Sequence, residues 1–219
     1  MSELQHLLEL ILPSFWESLY MVFFSTLFSV IIGSILGVIL VITERGHICE
    51  KPQLNKILGS IINIARSIPF IILIIAIFPL SRLIVGTTIG STAAIVPLSI
   101  AAAPFVARVI ESSLKDVDWG VVEASLAAGA NIPQVIFNVL IPEALPSIIL
   151  GITLTIINII GYSAMAGAIG GGGLGDLAIR YGYQRFQTDV LLATIVVLII
   201  VVELIQTIGN FLARKFNKK

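Results

Sequence analysis

The sequence predicts an all-α integral membrane protein with about five membrane-crossing helices. Hydrophobic residues fill 57% of the 219 positions and charged residues only 12%, about half of the quarter that a soluble domain needs to cover its surface. Mean hydropathy is +1.05. Five apolar stretches, near residues 19–42, 57–80, 89–110, 147–169 and 190–212, supply the roughly 20 residues that a helix needs to cross the hydrocarbon core.

Residues 1–18 place Leu4, Leu7, Leu8 and Ile11 at helical spacing among Glu3, Gln5 and Glu9, with Pro13 positioned to close the segment. The pattern fits an interfacial helix on the outer surface, with Trp16 and Tyr20 at headgroup level, and equally a helical lead-in to the first span. Met1 to Glu17 contains no Lys or Arg and three Glu, so it lacks the basic start of a signal peptide, and the first apolar stretch is expected to be retained.

In the first span Ser25, Ser29, Gly33 and Gly37 recur every fourth residue, a small face that lets another backbone come close. Intrachain packing is the expected use of that face, with a subunit contact as the alternative. The second span is interrupted by Arg66 and the fifth contains Glu203. Each lies nine residues from the expected cytoplasmic end, so an ion pair is open to them. Snorkelling of Arg66 to the interface and a proton-relay role for Glu203 are the other readings. The third span holds Pro97, Pro104 and the run Ala101–Ala103, and the fourth holds Thr153, Thr155, Asn158, Gly161, Ser163 and Gly167. Both suit the centre of a bundle, with the hydroxyl and amide groups expected along a pathway or bonded between helices.

Alternating sides puts Arg45, Lys51, Lys56, Arg66, Arg108, Lys115, Arg214, Lys215, Lys218 and Lys219 on one side, ten in all, against Arg82, Arg180 and Arg185 on the other. The positive side is cytoplasmic. The N-terminus is therefore expected outside and the basic tail, 213–219, inside. The formal net charge of zero gives no footprint for nucleic acid. Cys49 is the only cysteine, and His6 and His47 are far apart in the chain, so neither a disulfide nor a metal site is expected. No Walker-type phosphate loop is present. Gly170, Gly172 and Gly175 match the dinucleotide fingerprint, but they follow a membrane span and not a strand, so a flexible or tightly turned helix exit is expected there.

The informative segment is the cytoplasmic stretch 116–146. Asp116 or Asp118 can cap a helix that carries Glu123, Ala124 and Ser125, and Asn131-Ile132-Pro133 can start another. Ala, Ser and Gly faces have little bulk, and Glu123 offers a carboxylate to a basic partner. The pattern fits a docking element or a solvated connector. Glu123-Ala124-Ser125, three residues, Gly129, nine residues, then Val139-Leu140-Ile141-Pro142 resembles the EAA motif of ABC importer permeases, with Ser125, Val139 and Ile141 as departures that leave the spacing intact. Further runs, Arg66-Ser67-Ile68-Pro69-Phe70, Ala103-Pro104-Phe105-Val106-Ala107-Arg108, Pro142-Glu143-Ala144-Leu145-Pro146 and Gly161 to Gly175, are similar to the permease subunits of bacterial methionine ABC importers.

The resemblance implies a type I ABC permease in the bacterial inner membrane that forms the translocation pathway as a homodimer. It further implies two cytoplasmic ATPase subunits that hold the ATP and Mg, an outer substrate-binding lipoprotein, and no cofactor or catalytic residue in this chain. A coupling helix falls near 121–131, with Glu123, Ala124, Ser125, Gly129 and Ala130 towards the ATPase. Asn158, Tyr162, Ser163 and Met165 fall to the pathway or its gate, towards the outer end of the fourth span. The same architecture with another small amino acid or organic solute, a proton-coupled carrier and a non-transporting scaffold are the alternatives.

Overall fold

The computed structural model describes residues 3–217. The outermost residues 1, 2, 218 and 219, including the expected basic residues Lys218 and Lys219, lie outside the described residues. Among the described residues every regular element is helical: α1 (Glu3–Ile42), α2 (Pro52–Ser67), α3 (Phe70–Val85), α4 (Ser91–Lys115), α5 (Trp119–Ala127), α6 (Ile132–Val135), α7 (Ile141–Ala166), α8 (Gly173–Leu177) and α9 (Thr188–Phe216). Short π-helical segments follow α6, α7 and α8. Among the described residues four helical runs are long and apolar enough to cross a membrane, and α2 with α3, bent by 106° at its break, makes a fifth if the pair is counted as one span.

Two expectations are corrected. Residues 3–42 form one continuous helix with Pro13 inside it and not closing it, so of the two readings of the first residues the helical lead-in fits and a separate interfacial helix does not. Leu7, Leu10, Ile11 and Phe15 pack against Leu174, Leu177 and Val190. That burial outweighs the single backbone hydrogen bond that a proline removes. At 40 residues α1 is roughly 60 Å long, about twice the hydrocarbon thickness, so much of it stands outside the lipid core. The second span is likewise not one rod. Pro69 denies its predecessor the helical region, and Ile68 is extended at φ −82°, ψ 124°, with Pro69 itself at ψ 133°. At the other end of the chain, the expected basic tail continues the last helix, with Arg214 and Lys215 in the final turn of α9.

The small face of α1 packs within the chain. Ser25 and Ser29 are fully buried. A Cβ on Gly33 would lie 2.7 Å from the carbonyl oxygen of Ala103, and one on Gly37 would lie 2.7 Å from that of Ala107. The backbones of α1 and α4 therefore touch where any side chain would separate them. Outward from this contact α4 packs on α7 and α3, and α7 packs on α9. Gly209 meets Thr153 closely at the α9–α7 contact.

The glycine-rich exit from α7 is a tight turn, with Gly170, Gly172 and Gly173 at positive φ. Three hydrogen bonds tie it down. The amide of Gly90 donates to the Gly170 carbonyl at 2.8 Å. The amide of Gly173 donates to Glu17 Oε2 at 2.7 Å, and that of Leu174 to Ser18 Oγ at 2.8 Å. No strand precedes it, as the membrane context required.

Gly33→Ala or Gly37→Ala should destabilise the bundle by about 1–3 kcal/mol, the usual cost of overpacking. Gly161→Ala, whose new Cβ meets nothing within 4 Å, should not. Melting temperatures of the three variants in detergent check this, and equal values would show that the α1–α4 contact yields freely.

Candidate functional site

Two surfaces can carry function, one at an end of the bundle and one within it. The first is built on α5. Asp118 Oδ1 accepts from the amide of Gly120 at 2.8 Å and starts the helix. Gly129, at φ +88°, ends it in a Schellman motif: its amide donates to Leu126 O at 2.9 Å, and that of Ala130 donates to Ser125 O at 3.1 Å. Asn131 and Gln134 then form a capping box, with bonds of 3.0 and 2.9 Å, that starts α6. The spacing of Glu123, Gly129 and Asn131 is thus the spacing of one short helix, its stop and the next start.

Val122 is buried with Leu114, Val135 and Leu140, and Leu126 packs on the same core. This leaves Glu123, Ala124, Ala127, Ala128 and Gly129 exposed, with Ser125 and Ala130 half-buried. Ser125, Ala128, Gly129, Ala130, Gln134 and Asn138 border an open hollow of about 330 Å³. The elbow therefore presents a low, nearly featureless face with one carboxylate.

Charge fixes its base. Lys115 bonds Glu44 at 2.9 Å and Glu111 at 3.0 Å, and Arg108 pairs with the same Glu111. Arg108 also donates to Gly59 O at 3.1 Å and Asn63 Oδ1 at 2.8 Å. Glu111 is largely buried, and the two cations beside it compensate its charge where α4 meets α2 and the end of α1. His47, from the α1–α2 loop, packs edge-on to Trp119, the first residue of α5, at 4.9 Å. The sequence reading missed both contacts, because their partners lie far apart in the chain.

The second surface is a stripe along α7. Leu154, Asn158, Gly161 and Met165 are exposed at spacings of four, three and four, and Tyr162 is half-buried beside them. The ring of Tyr162 stacks on Phe70 with centroids 4.4 Å apart and planes at 12°. A cavity of about 580 Å³ lies on one side of the stacked pair, lined by Arg66, Ser67, Ile68, Pro69, Ile71 and Met165 as well as the two rings. A smaller one of about 200 Å³ extends towards Ala101 and Phe105.

Of the four residues assigned to the pathway or gate, Asn158, Tyr162 and Met165 share one open face, and Ser163 lies away from it. Ser163 is buried, and its hydroxyl donates to Ile160 O at 2.8 Å. Thr153 and Thr155 likewise donate back to Ile149 O and Gly151 O at 2.8 Å. These hydroxyls satisfy themselves within one helix turn and bond no neighbouring helix. Arg66 and Glu203 are both exposed, and no ion pair joins them. The break at Pro69 carries Arg66 to Tyr162 and Met165, which the straight-span reading had placed at opposite depths. Among the described residues no group of three or more acids, histidines or cysteines could hold a metal ion.

Residues 46–219 match the model of the binding-protein-dependent transport system inner membrane component family. The chain is 49% identical over 211 residues to the probable D-methionine transport system permease protein MetI of Vibrio cholerae, covering 96% of this chain and 94% of that one. It is 45% identical over 204 residues to the methionine import system permease protein MetP of Bacillus subtilis, covering 93% and 92%. The inward-facing structure of the MetNI methionine ABC transporter superposes with a TM-score of 0.96 at 44% identity over all of both chains. An amino acid ABC transporter crystallised with histidines shares the fold alone, with a TM-score of 0.76 at 19% identity and 94% coverage of each chain.

Burial holds the His47 imidazole below its ordinary value of 6.5, with Glu44 opposing the shift and Lys115 adding to it. A folded-state value below the unfolded one means that, between the two, the unfolded chain takes up the proton first. The contribution of neutral His47 is therefore complete above about 6.5 and is lost as pH falls towards the folded-state value. The melting temperature should fall between about pH 7.5 and pH 5.5. His47→Phe should flatten that slope, and an unchanged slope would place the titrating group elsewhere.

Proposed function

The chain belongs to the family of binding-protein-dependent transport system inner membrane components, and from that membership we propose that it is the membrane-spanning permease subunit of an ATP-driven methionine importer. Near-complete alignment with methionine permeases and whole-chain superposition on MetNI support this reading. The chain conducts and does not catalyse. Two copies enclose the pathway, two cytoplasmic ATPase subunits bind ATP and Mg, and a substrate-binding lipoprotein delivers cargo from outside.

The observation that carries the mechanism is the exposed face of α5. Glu123, Ala124, Ser125, Gly129 and Ala130 dock this elbow in a groove of the ATPase, where small side chains let the helix sit deep and Glu123 meets a basic group. Gly129 is required first for its conformation. Its φ of +88° is one that other L-residues adopt only under strain. Asn158, Tyr162 and Met165 line the pathway or its gate. The N-terminus lies outside and the C-terminus in the cytoplasm, which puts the elbow on the ATPase side. The ten-to-three division of basic residues supports this orientation.

Ala124 tests docking without the strain that any change at Gly129 would bring, because it is exposed and helical. Ala124→Leu should lower ATP-linked methionine uptake by about tenfold or more, the size of effect expected when a docked surface is overpacked by 1–3 kcal/mol. Membrane insertion and melting temperature should stay as in the unsubstituted chain. Full uptake in that variant, with the ATPase bound, would remove the α5 face from the interface.

A further inference from the structure

A guanidinium stays charged at every cellular pH. Within a membrane span such a group is costly unless it is paired, or solvated in a cavity. Arg66 lies in the last turn of α2, just before the break, and borders the same space as Ala101 and Phe105 near the middle of α4. Among the described residues no ion pair or hydrogen bond engages its guanidinium. What it does border is the cavity of about 580 Å³, within the roughly 300–1,000 Å³ of small-molecule sites.

The other walls match the remaining parts of an amino acid. α3 begins at Phe70 beside Arg66, and a helix N-terminus favours the same negative group. Phe70 is buried behind the half-buried Tyr162, whose ring borders the space and can meet an ammonium group. Met165 and Ile71 are exposed at 48% and 40%, an apolar and polarizable wall for an aliphatic or thioether side chain. The break between α2 and α3 exposes backbone and helix-end charge beside this space, the device by which broken helices in transporters meet their solute.

We propose that this cavity is a binding site for the cargo amino acid inside the membrane, with the Arg66 guanidinium holding its carboxylate through paired N–H donors. The site rests on the importer reading and adds to it the residues that hold cargo between delivery and release. Tyr162 and Met165 act there as contact surfaces for the solute, and Arg66 supplies the charge that selects a free carboxylate.

The test uses the full permease–ATPase complex carrying Cys49→Ser, so that the only permease thiol is that of an added Ser67→Cys in the cavity wall. Its labelling by a thiosulfonate reagent is followed with methionine or with methioninol, which lacks the carboxylate. Methionine should slow labelling and methioninol should not. Arg66→Gln should raise the methionine concentration for half-protection by about tenfold or more, as loss of a charge-assisted bond requires, and Arg66→Lys should restore part of it. Equal protection by methioninol, or undiminished protection in Arg66→Gln, would overturn the inference. So would dissociation of the permease pair in both Arg66→Gln and Glu203→Gln, which would assign Arg66 to an ion pair between copies. Methionine uptake by the unsubstituted complex is measured alongside. Its absence would defeat the importer reading, whereas its presence together with Arg66-independent protection would defeat only this site.

Discussion

The contact between α1 and α4 at Gly33 and Gly37 is the constraint on which the rest of the molecule depends. Lipid is as apolar as the side chains it meets, so helices associate in a bilayer through close packing and not through escape from water. Carbonyl oxygens of Ala103 and Ala107 stand 2.7 Å from where Cβ atoms on the two glycines would be. This near contact makes α4 the fixed post of the bundle. One end of α4 holds the charge cluster of Arg108, Glu111 and Lys115, from which the elbow starts. Its other end follows Gly90, whose amide bonds the glycine turn after α7.

The two candidate surfaces belong to one mechanical element. From Ile132 to Gly171 the chain forms a helical run of 40 residues. It begins at the capping box behind α5 and ends at the turn held by Glu17 and Ser18. A force applied at α5 therefore enters the helix whose open stripe carries Asn158, Tyr162 and Met165. The π-helical segment Ile136–Leu140 and the kink at Ile169 and Gly170, where the backbone leaves helical geometry, bracket that helix. Extra residues in a helical turn are places where register and direction can change locally. Docked motion at the elbow can thus reach the cavity beside Phe70 without melting the span between them.

Much of this was legible in the residues. Long apolar runs located α4, α7 and α9, and the four-residue repeat of small side chains correctly gave the packed face of α1. The elbow was legible as well, because its spacing is local chemistry: a cap at Asp118, a left-handed stop at Gly129, a capping box at Asn131. What escaped was of two kinds. Hydropathy has no angle in it, so 57–80 read as one span interrupted by Arg66, where the chain turns by 106° at Ile68-Pro69 and brings Arg66 to the hollow that Tyr162 also borders. Polar side chains inside a span carry no label for their partners either. Thr153, Thr155 and Ser163 read as groups along a pathway or bonded between helices, yet each bonds a carbonyl of its own helix. Pro13 shows the converse, a strong local stop overruled by packing on Leu174 and Val190. The bonds from Glu17 and Ser18 join residues 156 positions apart, and no local pattern announces them.

The central claim is that α5 is a docking knob on the cytoplasmic side, seated in a nucleotide-hydrolysing partner. Site-directed cross-linking tests it most directly. In a chain with Cys49→Ser, an Ala127→Cys thiol on the free face of α5 is compared with a Tyr183→Cys thiol at the opposite end, where Tyr183 is 74% exposed. The expected result is that the first reacts only from the cytoplasmic side and cross-links to a co-purified ATPase, while the second reacts only from outside and does not. Reversed accessibility, or a complex in which the thiol at 127 finds no such partner, would contradict the account.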